Sequence, residues 1–157
     1  MKMLCRIYLK CADLASSLRS PFLLAVRLYW GWQLVQSGWG KLHHLDRVTE
    51  FFTSLNLPAP GLTAHFVSGL ELVGGIALIL GLGSRLFGLM LAVNMLAAYW
   101  AADRDALTAF FSDPGKFYNA DPYTFLFAAL IVLIFGAGLF SMDAVVERLY
   151  RERVEQG

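Results

Sequence analysis

Glu71 and Arg27 each interrupt an apolar stretch long enough to cross a bilayer, and Asn94 interrupts a third. A charge at bilayer depth costs about 2.5 to 3.5 kcal/mol on insertion scales, so such a residue faces a partner or a polar cavity. At ~1.5 Å rise per residue, Arg27 lies ~10 Å, Glu71 ~16 Å and Asn94 ~14 Å from the same end of their helices. That spread is about one arginine length, which predicts a buried Arg27–Glu71 ion pair with Asn94 taking up the leftover donors or acceptors. Three chemistries stay open for this cluster. It fixes helix register and nothing more. It forms the polar end-wall of a site for a lipophilic ligand, with Trp30 beside Arg27. Or Glu71 relays protons in a small-solute or metal-handling transporter.

The elements that must position these residues follow from hydropathy. Of 157 residues, 57% are apolar and 16% charged, with a mean hydropathy of +0.55, whereas soluble domains carry about a quarter charged residues. The deficit is concentrated in four segments, about 21–41, 62–82, 85–101 and 123–142. The fold class is therefore all-α: a polytopic membrane protein with a four-transmembrane-helix bundle, leaving no room for a separate soluble catalytic domain. A net charge of +1 gives no strongly basic surface for nucleic acid. In the first span Arg27, Gly31, Leu34, Gly38 and Lys41 form one stripe, and in the second Ala64, Ser68, Gly74, Gly75 and Leu78 flank Glu71. The glycines permit close helix contact within one bundle or between copies in a homo-oligomer. Gly81, Gly83 and Ser84 form so short a turn that spans two and three are antiparallel neighbours. Span four holds no ionisable residue.

Cation placement predicts orientation. Lys2, Arg6, Lys10, Arg19, Arg85, Arg148, Arg151 and Arg153 fall on one side, while the opposite loops mix few cations with acids. The positive-inside rule then puts both termini in the cytoplasm of a chain that crosses the membrane several times. Residues 1–20 read as a basic amphipathic leader along the membrane surface, with Leu4, Ile7, Tyr8, Cys11, Leu14 and Leu18 as its apolar stripe, or as a frayed leader that only enforces topology. Residues 21–147 form the membrane domain and 148–157 a charged cytoplasmic tail.

Cys5 and Cys11 match neither a redox nor a zinc spacing, and the adjacent His43 and His44 point in different directions on a helix, as does His65 elsewhere; no metal site is expected. In the loop from Ala102 to Pro122, Asp105 to Phe111 predicts a short helix with Leu107, Phe110 and Phe111 at the interface. Asp113-Pro114-Gly115 predicts a turn, and Asp121-Pro122 a cap for span four. The segment between spans one and two reads as a similar membrane-skimming loop carrying Phe51, Phe52, Leu55 and Leu57.

The R-x3-G and later G-W-G-K-L of span one, E-L-V-G-G-I-A-L-I-L-G-L-G-S-R of span two, and F-G-A-G-L-F-S-M-D closing span four together resemble the DoxX family of small bacterial membrane proteins. Ala137 stands where the family's pattern often reads proline. The resemblance covers about residues 21 to 147, implies a four-helix membrane bundle, and carries Arg27, Lys41, Glu71 and Asp143 over as motif positions. Through the quinol-oxidase and thiosulfate:quinone systems behind the family name, it implies an accessory or quinone-associated subunit of a membrane redox complex. The candidate quinone contacts are Arg27, Trp30, Glu71 and Asn94, and the implied partners are redox-enzyme subunits and the lipid bilayer. The chain has no haem, flavin or nicotinamide motif, so an electron carrier is a bound quinone or belongs to a partner. A structural or interaction scaffold and a transporter remain the alternatives.

Overall fold

Proline and glycine set the helix limits in this chain. The computed structural model describes residues 9, 11, 13, 14 and 16–155, and contains no strand among them. The helices run α1 (Arg19–His43), α2 (Leu45–Ser54), α3 (Pro60–Leu80), α4 (Ser84–Ala102), α5 (Arg104–Thr108), α6 (Pro114–Asn119), α7 (Pro122–Phe135) and α8 (Met142–Glu155). Pro60, Pro114 and Pro122 stand in first turns, where a missing N–H costs nothing. Gly81, at φ 68°, ends α3: its N–H donates to Leu78 O and that of Leu82 to Ala77 O, the paired bonding of a left-handed helix stop. Gly83 follows at φ 55° and α4 starts at once, so α3 and α4 are the expected antiparallel neighbours.

Helices α1, α3, α4 and α7 form the bundle, with α1 packed chiefly on α3 and α4 on α7. Missing side chains make the first contact close. A Cβ on Gly75 would stand 2.7 Å from Gly31 O and 2.8 Å from Val35 N, and one on Gly38 would stand 2.7 Å from Ser68 O. These glycines let the two backbones touch. Leu34, Leu78, Leu91, Met95, Leu126 and Val132 fill the shared core.

The outward faces remain apolar. Val73, Ile76, Leu86, Leu89, Val93, Phe127 and Ile134 are all exposed, a band far beyond what a water-solvated monomer carries. Helices α3 and α4, of 21 and 19 residues, are long and apolar enough to cross a bilayer. The protein is an all-helical membrane protein. Helix α1 is longer, at 25 residues, but holds Arg27 and Lys41; α7 is apolar but only 14 residues long. Two of the four expected spans thus meet length and apolarity together.

The expected span 123–142 needs correction. Helix α7 stops at Phe135 because Gly136 takes φ 74°, ψ −166°, a conformation essentially confined to glycine. Gly138 is also at positive φ, 77°. The irregular segment 136–141 folds back on α1, and residues 148–155, expected as a tail, continue α8. The segment between spans one and two, read as a skimming loop, contains α2, which packs on α3. The short helix expected over Asp105–Phe111 forms as α5 but is shorter, ending at Thr108, and a second short helix, α6, follows from Pro114, where a turn was expected. Of the amphipathic leader, Lys2, Leu4, Cys5, Arg6, Ile7, Tyr8 and Lys10 lie outside the described residues, while Leu9, Cys11, Leu14 and Leu18 are exposed.

Candidate functional site

Helix register decides which buried polar groups meet. Gly31 lies against Gly75 and Ile79, and Gly38 against Ser68 and Leu72, so Arg27 stands level with the last turn of α3 and Glu71 level with Ser37. The ten residues between positions 27 and 37 correspond to about 15 Å along α1. The expected Arg27–Glu71 ion pair therefore does not form. Counting depth from helix ends hid this offset, because the ends are not level: the glycine contacts set Arg27, eight residues into α1, beside the last turn of α3, so α1 begins well beyond the end of α3.

Arg27 is 1% exposed and bonds only to backbone. Its Nε donates to Leu78 O at 2.7 Å and Nη2 to Ile79 O at 3.0 Å, while Nη1 donates to Ala137 O at 2.5 Å and Phe140 O at 3.1 Å. Two of these acceptors are last-turn carbonyls of α3, at the negative end of the helix dipole: Leu78 O also takes the capping N–H of Gly81, whereas Ile79 O has Arg27 as its donor. The other two belong to the irregular segment after α7, where no helix supplies the carbonyls with a donor. One guanidinium thus ties a helix end to a loop.

Asp143 completes the joint from the opposite side. Its Oδ1 accepts from Gly83 N at 2.7 Å and Oδ2 from Ser84 N at 2.9 Å, and its own N–H donates to Gly81 O at 2.9 Å. The carboxylate caps the positive end of α4 while Arg27 caps the negative end of α3. Ser141 adds the N-terminal cap of α8, its hydroxyl accepting from Ala144 N at 3.1 Å. The joint leaves little bonding capacity for a ligand.

The second polar group is different. Lys41 Nζ donates to both carboxylate oxygens of Glu71, at 2.6 and 2.7 Å, and Ser37 Oγ donates to Oε2 at 2.9 Å. The Glu71 side chain is 4% exposed but that of Lys41 is 35% exposed. Helical Cβ atoms tilt toward the helix N-terminus, so Lys41 reaches back along α1 to Glu71 instead of away to the bundle end. With two Nζ hydrogens on Glu71, the third has no acceptor among the described residues. This half-open ion pair is the candidate site.

Among the described residues no hydrogen bond or ion pair joins any two of the four candidate ligand contacts. Trp30 is half-buried against the core and edges onto Tyr29, and Asn94 is half-buried without a hydrogen bond among the described residues. The motif positions fare better: Arg27 and Asp143 share one joint, Lys41 and Glu71 pair directly. Sequence reading missed Ser37, although it lies four residues before Lys41 on the same face. His43 and His65 each bond a carbonyl four residues back through Nδ1, and the described residues include no cluster of three metal-ligating side chains. Near the α5–α6 end, Tyr99 Oη donates to Phe117 O at 2.7 Å and the two rings stack at 4.7 Å. Phe110 and Tyr123 pack edgewise on Phe117, closing that end with aromatic rings; of the expected interface residues Phe111 is the most exposed, at 93%, and Phe110 is also exposed.

Known proteins share both sequence and family with this chain. The model of the family described as DoxX matches residues 22–104. Among curated proteins, "Putative oxidoreductase CatD" of Bacillus subtilis is 28% identical over 75 residues, covering 48% of this chain and 54% of CatD. The match thus spans about half the length of that relative. An uncharacterised protein of Haemophilus influenzae is 24% identical over 132 residues, 82% of this chain and 85% of its own. No solved structure matches.

Proposed function

The chain belongs to the DoxX family, and from that premise we propose that it is a non-catalytic membrane subunit of a redox assembly, multi-pass in the bacterial inner membrane with both termini cytoplasmic. The observation that carries this reading is how the buried charges are used: Arg27, Asp143 and Glu71 bond to the bundle itself. A redox setting is favoured by the relative CatD, whose name is that of an oxidoreductase. Helix α1 supports a four-span arrangement, since 25 residues extend about 37 Å. Helix α7 reaches about 21 Å, and the segment 136–141 that prolongs it has its carbonyls answered by Arg27, as membrane-buried irregular backbone requires.

A quinone, if the assembly's carrier, is placed at Lys41 and Glu71 and not at Arg27. The free third hydrogen of Lys41 is a donor for a quinone carbonyl, whereas four carbonyls already occupy Arg27. Native mass spectrometry of protein gently extracted from its own membrane tests the reading. A co-purifying redox enzyme supports it, and a quinone lost in Lys41→Met but kept in Arg27→Lys supports the placement. A lipid-only bundle favours a scaffold, and solute flux in liposomes holding this chain alone favours a transporter.

A further inference from the structure

At the end of the bundle that holds Arg27, a groove of about 660 Å³ lies between the starts of α1 and α4 and the segment after α7. Two guanidinium groups converge there on successive residues of one loop. Arg19 Nη2 donates to Phe135 O at 3.0 Å, with its guanidinium carbon 5.5 Å from the centre of the Phe135 ring. Arg85 is exposed, with Nε 3.6 Å from the point a Cβ on Gly136 would occupy. Neither arginine has a carboxylate within ion-pair distance among the described residues. Two acids do border the groove, but both are engaged: Asp143 by the amides of Gly83 and Ser84, and Glu147 by Arg151. The charged lining is Arg19 and Arg85 with Asp143 and Glu147, so the two cations are matched in number, but both acids are bonded elsewhere and neither is paired with Arg19 or Arg85.

Neither guanidinium is neutralised by a carboxylate of the groove, which leaves both open to an anion. The groove carries a second sign of a missing partner. Ser84, one of its wall residues, is 1% exposed and its Oγ has no hydrogen-bond partner among the described residues, and a buried hydroxyl without a partner is costly. Phosphate oxygens are the acceptors that guanidinium groups match best.

We propose that this groove binds the phosphate of an anionic phospholipid, with the headgroup between Arg19 and Arg85 and the acyl chains along Leu86 and Leu139. The apolar flank selects the lipid over free phosphate. Leu86 and Leu139 border the same groove, at 60% and 74% exposed, and continue the apolar band of α4 and α7 away from the arginines. A free anion has no use for that surface.

The test uses the delipidated full chain in detergent, offered phosphatidylglycerol, phosphatidylcholine or inorganic phosphate, with retained lipid read by native mass spectrometry and stability by thermal melting. The wild type is expected to retain phosphatidylglycerol about tenfold over phosphatidylcholine, whose phosphate is the same but whose choline cation is repelled by the two arginines. Arg19→Gln/Arg85→Gln brings that ratio to about one, while Arg148→Gln/Arg153→Gln, which removes equal charge from α8 outside the groove, leaves it intact. Should the double variant not fold, Arg85→Gln alone carries the test, since Arg85 has no protein partner to lose. Equal retention of the two lipids by the wild type, an equal loss in the α8 variant, or stabilisation by inorganic phosphate matching that by phosphatidylglycerol overturns the proposal.

Discussion

Replacing Arg27 by methionine removes the cation but not its acceptors, and that asymmetry sets the size of the effect. A buried ion pair exchanged for apolar residues is often tolerated because both partners go. Here the partners are backbone carbonyls, which no substitution removes. Leu78 O keeps the bond from Gly81 N, whereas Ile79, Ala137 and Phe140 lose the donor that Arg27 supplies. A buried group left without its bond costs about 1–3 kcal/mol. Three give about 3–9 kcal/mol, and access to water at the bundle end favours the lower half, about 3–5 kcal/mol. For a chain of this size that lowers the melting temperature by about 6–20 °C. Arg27→Lys keeps the charge on one nitrogen, which reaches either the α3 end or the 136–141 segment but not both, so it falls about midway. Thermal melting in detergent, followed by tryptophan emission, measures the order, and hydrogen exchange at amides 136–141 locates the loss. A methionine variant melting within about 2 °C of wild type, with those amides still protected, would falsify the reasoning.

The remaining predictions concern other contacts. In a double-mutant cycle on Lys41→Met and Glu71→Gln, the pair shows a coupling of about 1–2 kcal/mol, at the low end for buried pairs because Lys41 is a third exposed; additive single effects refute the pair. Gly75→Ala pushes α1 from α3 and destabilises by about 1–3 kcal/mol, whereas Gly69→Ala, which meets nothing within 4 Å, is neutral or stabilising by up to about 1 kcal/mol; equal melting shifts refute the close approach. Asp143→Ala uncaps α4 and costs about 0.5–2 kcal/mol, read as a lower melting temperature with faster exchange at the Gly83 and Ser84 amides.

What could be read from the sequence was whatever depends on local pattern. The buried stripe Arg27, Gly31, Leu34 and Gly38 and the buried set around Glu71 follow from helical periodicity alone. The tight turn at Gly81–Gly83 follows from glycine's tolerance of positive φ. What failed depends on register between helices, which periodicity does not carry. Arg27 and Glu71 share a face direction yet sit about 15 Å apart in level, because the glycine contacts fix how far α1 slides along α3. The length of the fourth helix was misread for a related reason: the apolar run through Leu139 and Phe140 looks continuous, while two positive-φ glycines divide it. Helix α2 was passed over although Leu45, Val48 and Phe52 recur at helical spacing. The quinone set was assembled from shared depth, and depth is not contact.

The four acceptors of Arg27 lie 51, 52, 110 and 113 residues further along the chain. A ribosome adds roughly 5–20 residues each second, so the first helix exists for about 5–20 seconds before the segment that completes its coordination has been made. During that interval its arginine must stay at the lipid headgroups or lean on unfinished neighbours. Assembly therefore finishes from the last helix backward to the first. A stop codon after Phe135 leaves α1 and α3 unaltered in composition and still deprives Arg27 of Ala137 and Phe140, so damage near the C-terminus is felt as failed anchoring of the N-terminal helix.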